Sequence, residues 1–251
     1  MYYFSAMKPL GLLILIALSA TAFAQDKKLL FYDSDWKPST TRTYAFIVEQ
    51  KKVNDTCWEW NYYTATQPRF ISVQFKSQQG GTVHGRYITY TGDGFVDTTG
   101  YYYEGKRNGE WTVMASNHRV LQKLEYKDDV LISTKDSSQV RKEWQLREEI
   151  PGIESEFPGG NGAWIQYLSN NLKYPKPAYD SNSQGVVYVI FIVDTDGRVT
   201  DVDIDKSAEY YIDQEALRLI KSSPKWKPAV QDGRKVKSFK KQPIDFHLSY
   251  E

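Results

Sequence analysis

The residues that could do chemistry are few and scattered. Carboxylates cluster in Asp194-Thr195-Asp196-Gly197, a composition that suits a hard cation. A calcium loop of the EF-hand type needs its Gly sixth and a Glu twelfth, whereas here the Gly stands fourth, so the segment reads as a hairpin turn. His84, His118 and His247 lie in separate segments, without the His-Glu-x-x-His spacing that sets two ligands on one helix face. Phe157-Pro158-Gly159-Gly160-Asn161-Gly162 is Gly-rich but lacks the Gly-Lys-Ser/Thr that holds a phosphate, and no Gly-x-Ser-x-Gly elbow occurs. Glu148-Glu149, Glu154 and Glu156 are the clustered candidates for a two-carboxylate hydrolase. They fall in a Pro- and Gly-containing stretch that cannot hold two acids at a fixed separation. Lys225-Trp226-Lys227 makes a poor nucleic-acid footprint; Trp226 is expected to be buried at a helix exit. Cys57 is the single cysteine, which excludes an intramolecular disulfide and a Cys-built zinc site and leaves a buried thiol as the simplest expectation. No catalytic residue, cofactor or metal site is therefore expected, and the chain reads as a binding protein and not as an enzyme.

Elements that would position a binding surface must come from 251 residues, enough for one large domain or two ordinary ones. Charged residues make up 25% and hydrophobic ones 41%, which excludes wholesale disorder. Lys and Arg number 32 against 31 Asp and Glu, without the basic excess of a non-specific nucleic-acid binder. The aromatic share of 15%, with 19 Tyr and 7 Trp, favours antiparallel sheet. Residues 1–24 read as a signal peptide: Lys8, then an apolar run from Leu10, ending in Ala22-Phe23-Ala24 ahead of Gln25 and charged residues. The run is shorter than the ~20 apolar residues of a membrane span. Met7 makes a better signal start than Met1. Cleavage removes one Lys, so 32 basic residues become 31 against 31 acidic ones. The mature chain is expected in the periplasm.

Residues 25–148 read as short strands broken by Gly, Asn and Asp turns. Gly85-Arg86-Tyr87-Ile88-Thr89-Tyr90 matches Gly109-Glu110-Trp111-Thr112-Val113-Met114 at a shift of 24 residues, and Val96 falls on Val120. Each unit is a hairpin, with turns at Glu104-Gly105 and Asp128-Asp129; the stretch from Trp58 to Phe75 reads as a degenerate copy. Tyr103-Glu104-Gly105-Lys106-Arg107-Asn108-Gly109-Glu110-Trp111 resembles the repeat core of MORN proteins, in the variant seen in YwqK-like repeats. The resemblance implies an array of β-hairpins that presents a surface to a partner.

Residues 149–162 read as a linker, since Pro151-Gly152 and Pro158-Gly159-Gly160 sustain neither a helix nor a central strand. Residues 163–251 then show a different period. Trp164, Leu168 and Leu172 mark one face of a short helix, and Val186 to Val193 is an apolar, β-branched run of central-strand length. Val202 and Ile204 alternate with Asp201, Asp203 and Asp205. Ile212, Ala216, Leu219 and Ile220 form the core face of a second helix. A last strand runs from Val236 to Leu248, where Pro243, lacking an amide donor, points to a sheet edge. The fold class is α+β: an N-terminal antiparallel hairpin domain, then two helices on a three-stranded antiparallel sheet. This order, with Phe157-Pro158-Gly159-Gly160, Tyr174-Pro175, Gly185-Val186-Val187, Asp196-Gly197-Arg198-Val199, Glu215-Ala216-Leu217-Arg218, Pro224-Lys225-Trp226-Lys227-Pro228 and Pro243-Ile244-Asp245-Phe246, resembles the TonB C-terminal domain.

The resemblance implies a protein partner: the periplasmic segment of an outer-membrane TonB-dependent receptor or an inner-membrane transduction component, in TonB-linked transmembrane transport. The expected docking residues are Val236, Ser238, Phe239, Lys240, Gln242, Ile244 and Phe246, offered as an edge for β-augmentation. A further proline there, Lys240→Pro, is expected to abolish binding. Two alternatives stand beside this reading: an envelope scaffold with no peptide ligand, and a true energy transducer with an uncleaved anchor. The second departs from the family pattern, because a linker of about a dozen residues extends only ~3.1 Å per residue even as polyproline. The linker also implies that the two halves unfold independently. If the leader is cleaved as its pattern implies, N-terminal sequencing of protein from its own cell envelope will begin at Gln25; a chain beginning before Leu10 would establish the anchored form.

Overall fold

The computed structural model describes residues 26–39, 44–115, 119–145 and 152–248. The expected signal peptide, His118, Glu148-Glu149 and the first part of the expected linker lie outside them. Between residues 27 and 136 each strand lies beside the one before it. Strands β1 (Lys27–Tyr32), β2 (Phe46–Asn54), β3 (Cys57–Thr64), β4 (Arg69–Phe75), β5 (Val83–Tyr90), β6 (Val96–Tyr103), β7 (Lys106–Met114), β8 (Val120–Lys127) and β9 (Val130–Asp136) form one antiparallel sheet in sequence order. The 24-residue internal match corresponds to the β5–β6 and β7–β8 hairpins, and the degenerate copy to β3–β4. Glu104, Gly105, Asp128 and Asp129 all have positive φ, as tight hairpin turns between right-twisted strands require. Helix α1 (Ser137–Gln145), which the sequence pattern does not announce, follows β9; the Asp136 carboxylate caps it by accepting from the amides of Ser138 and Gln139 at 2.9 and 3.0 Å.

Strand alternation gives this sheet two different faces. One carries Trp58, Trp60, Tyr62, Phe75, Tyr87 and Trp111, whose rings pack on one another: Trp60 lies 5.0 Å from Phe75, and Trp111 lies 5.1 Å from Tyr102 and 5.7 Å from Tyr87. Trp111 covers Gly100, where a Cβ would come within 2.1 Å of the indole, so no other residue fits beneath it. The aromatic excess thus joins neighbouring hairpins. Cys57, at the start of β3, is half-buried, and burial pushes its thiol up. The opposite face carries Glu49, Glu59, Asn61, Tyr63, Arg69 and Arg86, and it meets the second half of the chain.

That half contains β10 (Gly152–Ile153), α2 (Gly160–Asn171), α3 (Lys176–Asp180), β11 (Gly185–Val193), β12 (Val199–Lys206), α4 (Tyr210–Lys221), β13 (Ala229–Gln231), β14 (Arg234–Val236) and β15 (Ser238–Phe246). The order β12-β11-β15 forms the expected three-stranded antiparallel sheet. Val187, Val189, Phe191 and Val193 of β11 face Ile212, Ala216, Leu219 and Ile220 of α4 in a core completed by Trp164, Trp226, Ile244 and Phe246. Full burial of side chains of this size contributes roughly 1.5–3 kcal/mol each. Trp226 is buried at the helix exit, as its position implied. The described part of the expected linker is packed: Phe157 joins this core, β10 pairs with β13, and Glu156 bridges to Lys227. No helix among the described residues is long and apolar enough to cross a membrane.

The two halves meet through a small apolar cluster, in which Ile47 and Tyr63 of the large sheet pack with Tyr210 of α4, and through a set of polar groups. Arg69, at 2% exposure, donates from Nε to the Tyr63 hydroxyl at 2.9 Å and from Nη1 to the Tyr90 hydroxyl at 3.3 Å, while its backbone amide donates to Ser207 Oγ at 2.8 Å. Tyr63 in turn donates to Asp213 of α4 at 3.2 Å, and Asp203 of β12 pairs with Arg69 at 3.8 Å and with Arg86 at 2.5 Å. At Gly94 the backbone carbonyl accepts from the Ser207 amide at 2.9 Å; with φ at +84° and Ser207 O only 2.0 Å from a hypothetical Cβ, only glycine fits this clasp. The independent halves implied by the linker composition are therefore joined by a buried network.

Two carboxyls in this region respond to pH. Burial raises Asp213 to about 6, against Arg69 and the hydroxyl of Ser207. Burial raises Glu209 to about 7, against the amides of Tyr211 and Ile212, which it accepts at 3.0 and 3.2 Å as the cap of α4. A carboxyl that is protonated more readily in the folded state contributes stability that is complete below its unfolded value near 4.5 and lost as pH rises through about 7. Stability should therefore fall between about pH 5 and about pH 8. Glu209→Gln keeps an oxygen for both amides, so it should flatten that fall and stabilise the protein near pH 8 by roughly 1–3 kcal/mol. Denaturant melts at the two pH values check this, and an unchanged slope in the variant would contradict it.

Candidate peptide-docking edge

A three-stranded sheet has two edges, and here they differ. The β12 edge is engaged at its C-terminal end: Lys206 bridges to Phe95, Ser207 clasps Gly94, and Asp203 is held by Arg69 and Arg86. The β15 edge pairs on one side only, with β11, through an unbroken register from Ser238↔Val193 to Phe246↔Gly185.

Pro243 reveals which backbone groups of β15 point outward. It stands opposite Tyr188 and has no amide hydrogen. Opposed residues in an antiparallel ladder alternate between pairs that exchange hydrogen bonds and pairs that do not. Pro243–Tyr188 must be of the second kind, so Gln242 and Ile244 exchange bonds with Val189 and Val187, and by the same alternation Lys240 bonds Phe191. The outward row then consists of the amides of Phe239, Lys241 and Asp245 and the carbonyls of Phe239, Lys241, Pro243 and Asp245. Sequence reasoning located the strand and missed this parity; Pro243 was the signal that could have supplied it. The expected test substitution Lys240→Pro would break an inward bond, and Lys241→Pro is the one that alters the free edge.

The structure places six of the seven expected docking residues on β15. Val236 instead ends β14 and pairs with Ala229. Ile244 and Phe246 are core residues, held by the sheet face that α4 covers. Ser238 donates to Ser155 at 2.7 Å and Lys240 pairs with Glu154 at 3.3 Å, so both side chains are tied to the segment before α2. Gln242 is half-buried, and Phe239 projects into solvent at 63% exposure. An open groove of about 660 Å³, lined by Ile165 and Leu168 of α2, by Leu172 just past its end, and by Tyr188, Pro243 and Asp245, runs beside the outer half of the strand.

The candidates for other chemistry are occupied. Asp194 uses its carboxylate inside the hairpin, accepting the amides of Asp196 and Arg198 at 2.8 Å, which holds it below the usual carboxylate range. Glu156 pairs with Lys227 at 2.9 Å and Glu154 with Lys240 at 3.3 Å. His84 lies against Glu104 and Tyr103, and His247 pairs with Asp245. Among the described residues no three metal-ligating side chains come together.

Comparison with known proteins bears on this half. Residues 170–248 match the family model described as the Gram-negative bacterial TonB protein C-terminal. That stretch belongs to the TonB C-terminal family. Two solution structures of the Helicobacter pylori TonB C-terminal domain are similar to this chain. One is 29% identical, covering 38% of this chain and 89% of the other, and the second is 30% identical, covering 36% and 95%; both have a TM-score of 0.29. No curated protein matches the chain. TonB C-terminal domains generally serve energy transduction for envelope transport, face the periplasm and interact with proteins such as outer-membrane receptors.

The edge geometry yields a contrast within the TonB C-terminal domain. Lys240→Pro removes an inward bond to Phe191 and should destabilise the protein by about 2 kcal/mol or more. Lys241→Pro leaves the inward bonds intact and loses an outward amide, the ion pair to Asp205 and the contact of the ammonium with the Tyr188 ring; Lys241→Ala removes the same side-chain contacts, and Lys241→Pro should cost no more than about 1 kcal/mol beyond it. Denaturant melts compare the three variants directly, and a loss on Lys241→Pro beyond Lys241→Ala as large as the loss on Lys240→Pro would refute the parity.

Proposed function

We propose that this chain is an exported binding protein of the cell envelope whose TonB C-terminal domain takes an extended peptide as a fourth strand along β15. The observation that carries the reading is the outward row of donors and acceptors on β15, left open while the β12 edge is engaged by the nine-stranded sheet. Backbone pairing supplies most of the affinity in such a mode, and neighbouring pockets supply the choice of side chains. Phe239 and the groove floored by Tyr188 and Pro243 would receive alternate apolar side chains of the peptide. The partner is a periplasmic segment of an outer-membrane receptor or of another envelope protein. The nine-stranded sheet acts as the second module, fixed to the first through Arg69. Work in transport follows from the family; the cleavable leader expected from the sequence favours a soluble component over an anchored transducer.

A second open edge gives a second reading. β9 ends the large sheet, and its Val130, Leu131 and Ile132 are all half or more exposed. Unprotected apolar edges of this kind attract other strands. The two edges separate in one experiment, fluorescence-polarisation binding of labelled peptides from the N-terminal periplasmic segments of outer-membrane receptors. Lys241→Pro should weaken capture by about tenfold or more, while Lys241→Ala, which keeps the amide, should leave it within about threefold. Capture unaffected by Lys241→Pro and lost on Leu131→Pro would move the site to β9.

A further inference from the structure

The free side of β15 is not electrically uniform. From Lys225 to Lys241 the chain carries seven basic residues and one acidic residue, Asp232, and this run leads through β14 into the N-terminal end of β15. Part of that charge is answered from elsewhere in the fold. Lys227 pairs with Glu156 at 2.9 Å, Lys240 with Glu154 at 3.3 Å and Lys241 with Asp205, while Lys225 stands within electrostatic reach of Asp194. Arg234, Lys235 and Lys237 are exposed and make no ion pair among the described residues. Asp232, in the turn before Arg234, offsets one of these charges. Lys235 and Lys237 are left with no carboxylate committed to them. The far end of the strand has the opposite sign: there the outward row holds Asp245, beside His247 at 3.0 Å.

The register ties these charges to the edge. Lys237 precedes Ser238, the residue opposite Val193, so it has the parity of Phe239, Lys241, Pro243 and Asp245. A strand laid along that row and continued past Phe239 would set its next residues alongside Lys237. Lys235, two residues back, lies no more than about 7 Å further along the chain. Opposite charges facing each other across strands attract, and like charges repel. Acidic residues at this end are therefore favoured and basic ones opposed, while the same acidic residues at the other end would meet Asp245. Backbone pairing has no such preference, so direction and choice along this edge fall to the charges.

We propose that the segment captured on β15 carries a short acidic stretch that lies against Lys237 and Lys235, with its other end toward Asp245. This rests on the β15 reading and adds to it the chemistry of the peptide and the way it lies. An anionic lipid surface also attracts lysines, but it does so without reference to a strand edge that changes sign along its length.

The test uses the full mature chain and fluorescence polarisation of labelled peptides. All share one core of alternating Thr and Val, with a flank of consecutive Glu or of consecutive Gln at either the N-terminal or the C-terminal end. Lys241→Pro identifies binding to the edge. At low salt one of the two Glu-flanked peptides should bind about fivefold or more tightly than its Gln counterpart, and which one reports the strand direction. The gain should fade in about 0.5 M salt. Lys235 and Lys237 are exposed and unpaired, so the double variant Lys235→Gln/Lys237→Gln should keep its fold, verified by circular dichroism, and should bind Glu- and Gln-flanked peptides alike. Equal gains at both ends, no gain at either, or a gain that survives in the folded double variant would each overturn the charge selection. Peptides that bind alike but are lost on Lys241→Pro would overturn it and leave the β15 reading standing, whereas peptides indifferent to Lys241→Pro would overturn both. Phosphatidylglycerol vesicles that bind through the same two lysines, with no preference among the peptides, would reassign these cations to a membrane surface.

Discussion

A guanidinium shut away from water must be surrounded by acceptors, because it cannot shed its charge. Arg69 is such a group, and much of the molecule is arranged around it. It draws the Tyr63 and Tyr90 hydroxyls from the large sheet and Asp203 from the small one, and through Tyr63 it reaches Asp213 at the start of α4. Removing one partner of a buried charge generally costs about 3–5 kcal/mol, so each member constrains the others. Geometry follows from this: Asp203 lies on β12 and Asp213 on α4, so satisfying Arg69 sets the second half of the chain at one orientation on the first. The clasp of Gly94 on Ser207 tolerates no side chain and narrows the fit further.

That orientation decides which surfaces remain. The β12 edge goes into the junction, α4 covers one face of the small sheet, and β15 is left with an unpaired side. The same packing encloses a polar cavity of about 150 Å³ between the large sheet and α4, where Lys51 and Lys221 meet Glu49, Glu59 and Asp203. An open strand edge and a charged cavity are thus two outcomes of one docking event. The first is built from backbone and indifferent to local side chains, and the second is built wholly from side chains.

The parts of this fold that were legible in the sequence are those written in local patterns. An unbroken β-branched run from Val186 to Val193 has few alternatives to a central strand. Ile212, Ala216, Leu219 and Ile220 recur at helical spacing, and all four are fully buried. Pro243 announced an edge, although its more specific message, the parity of the ladder, emerged only with the register against β11. The hairpins were legible from their Gly and Asp turns. Their union into one sheet was not, because repeat spacing says nothing about how neighbouring hairpins join. The junction was invisible for a different reason. Arg69, Glu49, Glu59 and Asp213 are charged residues in alternating or helical positions, and in a single sequence such residues read as a solvated face; only tertiary contact shows that the face is covered. α1 and the short α3 carry too few apolar positions to show a period.

The two edges of the small sheet also have a mechanical meaning. Strands β15, β11 and β12 stand in series between any tether held at β15 and the large sheet behind β12. Tension applied along the strand axis would load the ladder bonds together, in shear, whereas tension across it would part them one after another from an end. Past β12 the load would pass into Arg69, Arg86 and the Gly94 clasp, that is, into short-range polar bonds, those of Arg69 shielded from water. The molecule is thus stiff along one line and weak across it, and the direction in which a partner leaves the edge would decide whether the grip holds or peels.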